Sequence, residues 1–136
     1  MKIVINSCYG GFGLSYQGVM EYAKNKGIKL YGFIDESSRR IYSEHGETLD
    51  LNTTKALIHY TTKPVKDEKG LNRHYWSDRG ISRDDEALIK TVQKLKKKAN
   101  GNCAELKIVE IPDGIGYEIG EYDGIEHIAE KHRTWG

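Results

Sequence analysis

The run from Ile3 to Ser15, IVINSCYGGFGLS, limits what this chain can fold into more than any other segment. A β-branched, strand-like start feeds a loop with glycine at Gly10, Gly11 and Gly13, and Ser15 then stands where a helix N-cap belongs. Glycine reaches positive φ without steric cost and lets the backbone come close to a neighbour or a ligand. A helix start beyond the loop offers unpaired N–H groups and the positive end of a macrodipole. The expected result is strand, tight loop and helix, with a loop suited to an anion such as a phosphate. The plainer alternative is a tight β-to-α turn that touches no ligand.

The rest of the chain completes a small α+β domain. Lys2–Asn6 reads as a buried strand. The following helix runs to Lys26, places Tyr16, Val19, Met20 and Ala23 on one face, and stops at Gly27. Ile28–Ile34 reads as a second strand, so the opening is βαβ-like and a right-handed parallel connection is expected. Asp35 to Thr54 is polar and suits a hairpin or a long loop; Lys55–Thr62 is a strand candidate, and Lys63–Gly70 is turn-like. An amphipathic helix is expected at about 84–99, because Leu88, Val92, Leu95 and Ala99 recur at helical spacing with Ile89 beside them. Ser82 with Asp85 three residues on resembles a capping box, Lys96, Lys97 and Lys98 suit the negative end of the dipole, and Asn100-Gly101 ends the helix. So narrow an apolar stripe suits packing on the sheet or against a second copy. Cys103–Ile111 is another strand, and Asp123-Gly124 between Tyr117–Tyr122 and Ile125–Lys131 is a two-residue hairpin signal. The expectation is therefore one α+β domain over 1–136, with a mixed sheet, an N-terminal βαβ-like unit, one amphipathic helix, a C-terminal hairpin, and 132–136 as a lid or interface tail.

Composition removes several function classes. A chain of 136 residues with 38% hydrophobic and 30% charged residues supports one domain with a modest core, and association between copies could bury more. Lysine and arginine total 21 against 20 acidic residues, so a net charge of +1 points to no bulk polyanion, and nucleic acid is not an expected partner. No apolar run approaches the length of a membrane span, and no signal peptide precedes the first strand, so a soluble cytoplasmic protein is expected.

The glycine loop lacks the Lys-Ser/Thr pair of a P-loop, and Tyr16 stands where the dinucleotide fingerprint needs its third glycine. Cys8 near a helix start is a candidate nucleophile, but catalysis also needs a base and the five histidines are scattered. His127 and His132 are separated by four residues, which matches no zinc motif, and no metal or cofactor is expected. No spacing singles out a carboxylate pair for acid–base work. An aromatic–arginine set carries more weight: Tyr75, Trp76, Arg79 and Arg83 precede the second helix, and Arg133 and Trp135 lie in the tail. Aromatic faces and guanidinium planes hold a base by stacking, and arginine forks hold phosphates. Phe12 between the glycines could close a pocket or pack beneath the loop. The competing reading is core or interface packing for the two tryptophans, with solvated arginines around them.

The segments Asn6–Ser15, Tyr75-Trp76-Ser77, Ile81–Asp85, Asn100-Gly101, Val109–Asp113, Tyr122-Asp123-Gly124 and Glu130–Trp135 together resemble a family of small phage and prophage proteins. The pattern is also similar to the Thoeris anti-defence 1 proteins, phage-encoded sponges that sequester cyclic ADP-ribose-type signals, and in some cases cyclic oligonucleotides, without cleaving them. The resemblance implies a homo-oligomer in the host cytoplasm, with pockets at subunit boundaries built partly from aromatic and arginine side chains. It also implies Trp76, where Phe is expected as often, as a stacking residue, and Arg83 and Arg133 as phosphate contacts.

The expected function is therefore capture of a small phosphorylated nucleotide, with Gly10, Gly11, Phe12, Gly13, Tyr75, Trp76, Arg79, Arg83, Arg133 and Trp135 as ligand-binding residues and no catalytic residue. The alternatives are an enzyme acting on a nucleotide or ADP-ribosyl substrate through Cys8 or a histidine, and an inhibitor that binds a host protein.

Overall fold

The computed structural model describes residues 1–36, 39–42, 58–64, 69 and 73–131. Strand β1 (Lys2–Asn6) buries four of its five residues. It pairs antiparallel with β2 (Leu106–Glu110) in the register Lys2↔Glu110 to Asn6↔Leu106. Val4 joins the apolar cluster under the helices, and by alternation the buried Ile3 and Ile5 point to the opposite face.

Helix α1 (Tyr16–Lys26) starts and stops as its sequence dictates: the Ser15 side chain accepts the Gly18 N–H, and Gly27 closes the helix at φ 75°. Gly18 costs helix propensity, but a Cβ there would stand 3.0 Å from the Ala99 carbonyl oxygen. Its absence lets the chain near Ala99 lie directly on the helix. Helix α2 (Glu86–Leu95) buries Ala87, Leu88, Thr91 and Val92 and continues as a 3₁₀ turn over Lys96–Ala99. The two helices pack on each other, with Tyr22 donating to Asp85 at 2.9 Å, Lys26 reaching the same carboxylate at 3.0 Å and Asn25 donating to Thr91 at 3.2 Å.

A second sheet has the order β4-β3-β5-β6, formed by β3 (Tyr31–Glu36), β4 (Arg39–Tyr42), β5 (Ile58–Thr61) and β6 (Tyr75–Trp76). Strands β7 (Tyr117–Tyr122) and β8 (Ile125–Glu130) form the C-terminal hairpin, which turns through Asp123 at φ 49° and Gly124 at φ 90°. Positive φ at both central residues is the type I′ signature expected of Asp-Gly.

The α+β class is as expected, and so are both helices and the hairpin. The parallel connection is not. Every strand pairing among the described residues is antiparallel, and the strand after α1 joins a different sheet from β1. The edge of β1 that a parallel neighbour would use is instead held by Arg83, whose carbonyl accepts the Val4 N–H at 2.9 Å. The cap of α2 also differs. Asp85, not Ser82, accepts the Ala87 N–H, while the Ser82 hydroxyl donates to Asp84. The polar stretch after β3 begins as a hairpin, with Glu36 opposite Arg39.

Candidate functional site

One side chain organises the glycine loop. Asn6 is fully buried at the end of β1. Its Nδ2 donates to the carbonyls of Cys8 at 2.6 Å and Gly124 at 2.7 Å, and its Oδ1 accepts the Glu105 N–H at 2.8 Å. A single amide thus ties the loop entry to the hairpin turn and to the approach of β2. The hairpin turn lies against the loop: Gly10 N–H donates to the Asp123 carbonyl at 3.0 Å, and a Cβ on Gly124 would fall 2.2 Å from the Gly11 nitrogen.

A buried ion pair fixes the same corner. Glu126, with 6% of its side chain exposed, takes a two-pronged contact from Arg83, whose Nη2 donates to Oε2 at 2.8 Å. Glu126 Oε1 also accepts the Asn6 N–H at 2.8 Å. The Arg83 guanidinium lies 3.7 Å above the Phe12 ring. A planar, always charged fork suits this combined pairing and stacking.

With the loop held in this way, a cleft of about 520 Å³ opens between it and the end of the second sheet. Gly10 to Tyr16 and Gly101 to Ala104 form one wall, and Ile58–Tyr60 with Tyr75–Arg79 form the other. Tyr75 is 59% exposed. Trp76 is half-buried, with its ring 6.0 Å from Tyr22 and 5.9 Å from Tyr60, edge-on to the latter. Trp76 therefore serves the core as well as the cleft, and Tyr75 carries the more open aromatic surface.

The electrostatics are mixed. Asp78 Oδ2 accepts the Leu14 N–H at 2.9 Å. Burial pushes the Tyr60 phenol far above its usual value, and the negative charge of Asp78 and then Tyr16 add to it. Arg79 is exposed and makes no ion pair among the described residues. The amides of Gly10 and Leu14 are taken by the protein itself, and Arg79 is the one Lys or Arg side chain among the described residues that line the cleft.

Seven of the ten expected binding residues meet here: Gly10, Gly11, Phe12, Gly13, Tyr75, Trp76 and Arg79. Arg83 does not line the cleft; it is committed to Glu126 and Phe12 and acts from behind the loop. Arg133 and Trp135 lie outside the described residues. Sequence reasoning passed over Asp78 and Tyr60, although Asp78 stands beside Arg79 in the irregular segment already singled out. Cys8 is not a lining residue, whereas Cys103 and His59 are. Among the described residues, no three His, Cys, Asp or Glu side chains are grouped to hold a metal ion, and no helix is long and apolar enough to cross a membrane. Comparison with family models, curated proteins and solved structures returns no match.

Proposed function

We propose that this chain is a binding protein that sequesters a small phosphorylated nucleotide, of cyclic nucleotide or cyclic ADP-ribose type, and releases it intact. One observation carries the proposal. The glycine loop, the Tyr75-Trp76 pair and Arg79 come from distant parts of the sequence and line one cleft of about 520 Å³. That volume lies within the range of roughly 300–1,000 Å³ common for small-molecule sites. Tyr75 offers a face on which a base stacks, and Arg79 offers a fork for a phosphate. Desolvated stacking together with charge-assisted hydrogen bonds gives slow release, which is what a trap requires.

Self-association belongs to the same proposal. Tyr9 and Tyr122, 63% and 73% exposed, flank the hydrogen bond between Gly10 and Asp123 and leave aromatic surface beside the loop. Aromatic residues are enriched where protein surfaces meet.

The test is to mix the protein with cyclic ADP-ribose isomers and cyclic oligonucleotides, follow the free ligand, then denature the protein and weigh what is recovered. Depletion followed by intact recovery supports capture. The second reading, an enzyme on a nucleotide or ADP-ribosyl substrate, draws on His59 and Cys103 in the cleft wall. A product of altered mass would favour it.

A further inference from the structure

We infer that Asp78 selects the ligand: it accepts a hydrogen bond from a neutral donor, a ribose hydroxyl or an exocyclic base amine, and it turns phosphate away from the glycine-loop end of the cleft toward Arg79. The inference rests on the nucleotide-binding reading above and assigns polarity to that site.

A strand–glycine loop–helix opening ordinarily invites a phosphate onto the loop amides. Here the Leu14 amide, next to the helix cap, already faces a carboxylate oxygen of Asp78 at 2.9 Å. A phosphate placed there would displace or abut a like charge. An ionised carboxylate only accepts hydrogen bonds, and its two oxygens offer about four lone-pair sites. One site is filled by Leu14, and Oδ1 accepts no hydrogen bond among the described residues. Asp78 lines the cleft beside Tyr60, so its remaining capacity suits a donor on the ligand.

The next residue supplies the complementary group. Asp78 and Arg79 open a 3₁₀ turn, Asp78–Gly80, held by the Ser77 hydroxyl accepting the Arg79 N–H at 3.2 Å. With three residues per turn, successive side chains diverge by about 120°. The acceptor and the cation are therefore separated rather than neutralising each other, although both border the same cleft. A ligand bearing a donor at one end and an anion at the other matches that pair. A bare phosphate matches only half of it.

The experiment is calorimetric titration of the wild-type protein and D78N with four probes: adenosine 5′-monophosphate, its 2′,3′-dideoxy analogue, its analogue without the 6-amino group, and inorganic pyrophosphate. D78N keeps an acceptor for the Leu14 N–H and removes the charge; an unchanged melting temperature establishes that it folds. One of the two analogues should bind the wild type about ten- to a hundredfold more weakly than the parent nucleotide, the size of one hydrogen bond to a charged group. The weaker analogue identifies the donor as ribose hydroxyl or base amine. In D78N that discrimination should collapse and pyrophosphate should bind more tightly. Equal binding of all three nucleotides to both proteins overturns the inference and leaves the nucleotide site standing. Absence of binding by all three to the wild type overturns the inference, and the nucleotide site falls with it only if cyclic ADP-ribose isomers and cyclic oligonucleotides are not captured either.

Discussion

Replacing Arg83 with alanine separates a structural role from a ligand-binding one. The substitution strands the Glu126 carboxylate, which is 6% exposed and, among the described residues, would keep only the Asn6 N–H as its partner. Removing one partner of a buried pair costs about 3–5 kcal/mol, because an uncompensated charge stays in a poorly solvated place. Arg83 is itself 20% exposed, so water can reach part of the vacated space, and the lower end, about 3 kcal/mol, is expected. Loss of the guanidinium over Phe12 adds about 0.5–1 kcal/mol. Against a typical domain stability of about 5–15 kcal/mol, the sum is a large fraction. The assay is urea unfolding followed by tryptophan fluorescence and far-ultraviolet circular dichroism, with wild type, R83A, E126L and the double variant R83M/E126L. The double variant should recover part of the loss, since no lone charge remains, but the Asn6 N–H then lacks its acceptor and costs about 1–3 kcal/mol. If R83A unfolds within about 0.5 kcal/mol of wild type, a difference typical of ordinary surface substitutions, and yet loses nucleotide binding, Arg83 belongs to the ligand and the clamp is wrong.

Three further outcomes follow from the same contacts. Gly124→Ala brings a Cβ to 2.2 Å from the Gly11 nitrogen at φ +90°; strain and overpacking together should cost about 2–5 kcal/mol and raise amide exchange at Gly10 to Gly13, and an unchanged unfolding midpoint would contradict the close contact. Burial works to raise the Asp85 carboxyl, but hydrogen bonds from Lys26, Tyr22 and the Ala87 N–H, with the Lys26 charge, outweigh it and hold it below its ordinary value. The stability this group contributes is therefore complete above the unfolded carboxylate pKa of about 4 and is lost as pH falls through the folded value; Tyr22→Phe should lessen that acid loss, and matching acid slopes in the two proteins would reject the assignment. Tyr75→Ala should weaken nucleotide capture by about 1–3 kcal/mol without unfolding the protein, whereas Trp76→Ala should also lower stability through lost packing on Tyr22 and Tyr60; wild-type affinity in a folded Tyr75→Ala protein would take that ring out of the site.

Local signals were legible where a residue type leaves one conformation open. Ser15 and Gly27 bound α1, and Asp123-Gly124 turns the hairpin, because capping and positive φ are decided within a few residues. Non-local pairing was not legible. The partner of Lys2 is Glu110, and nothing in the β-branched run Ile3–Ile5 distinguishes that strand from the one following α1. The α2 cap moved because Asp85 bonds both ways, to the Ala87 N–H and to Tyr22 across the helix pair, and tertiary contacts outweighed the Ser82 pattern. Tyr75, Trp76 and Arg79 of the aromatic–arginine segment line the cleft. The pairing of Arg83 was not legible because its partner, Glu126, lies in the hairpin and reads in sequence as one more polar strand residue. Asn6 closing an apolar strand was the available clue: a polar residue with no lateral charge, placed where a buried strand ends, marks a hydrogen-bonding node.

The most direct measurement is recovery of a captured signal. Cyclic ADP-ribose isomers and cyclic oligonucleotides are incubated with the protein, the free fraction is followed by chromatography, and the bound fraction is released by heat and identified by mass. The account predicts stoichiometric depletion of at least one of them, recovery at unchanged mass, and loss of depletion in Tyr75→Ala and Arg79→Ala proteins that melt like the wild type. Depletion that survives both substitutions, or recovery of a cleaved product, contradicts it.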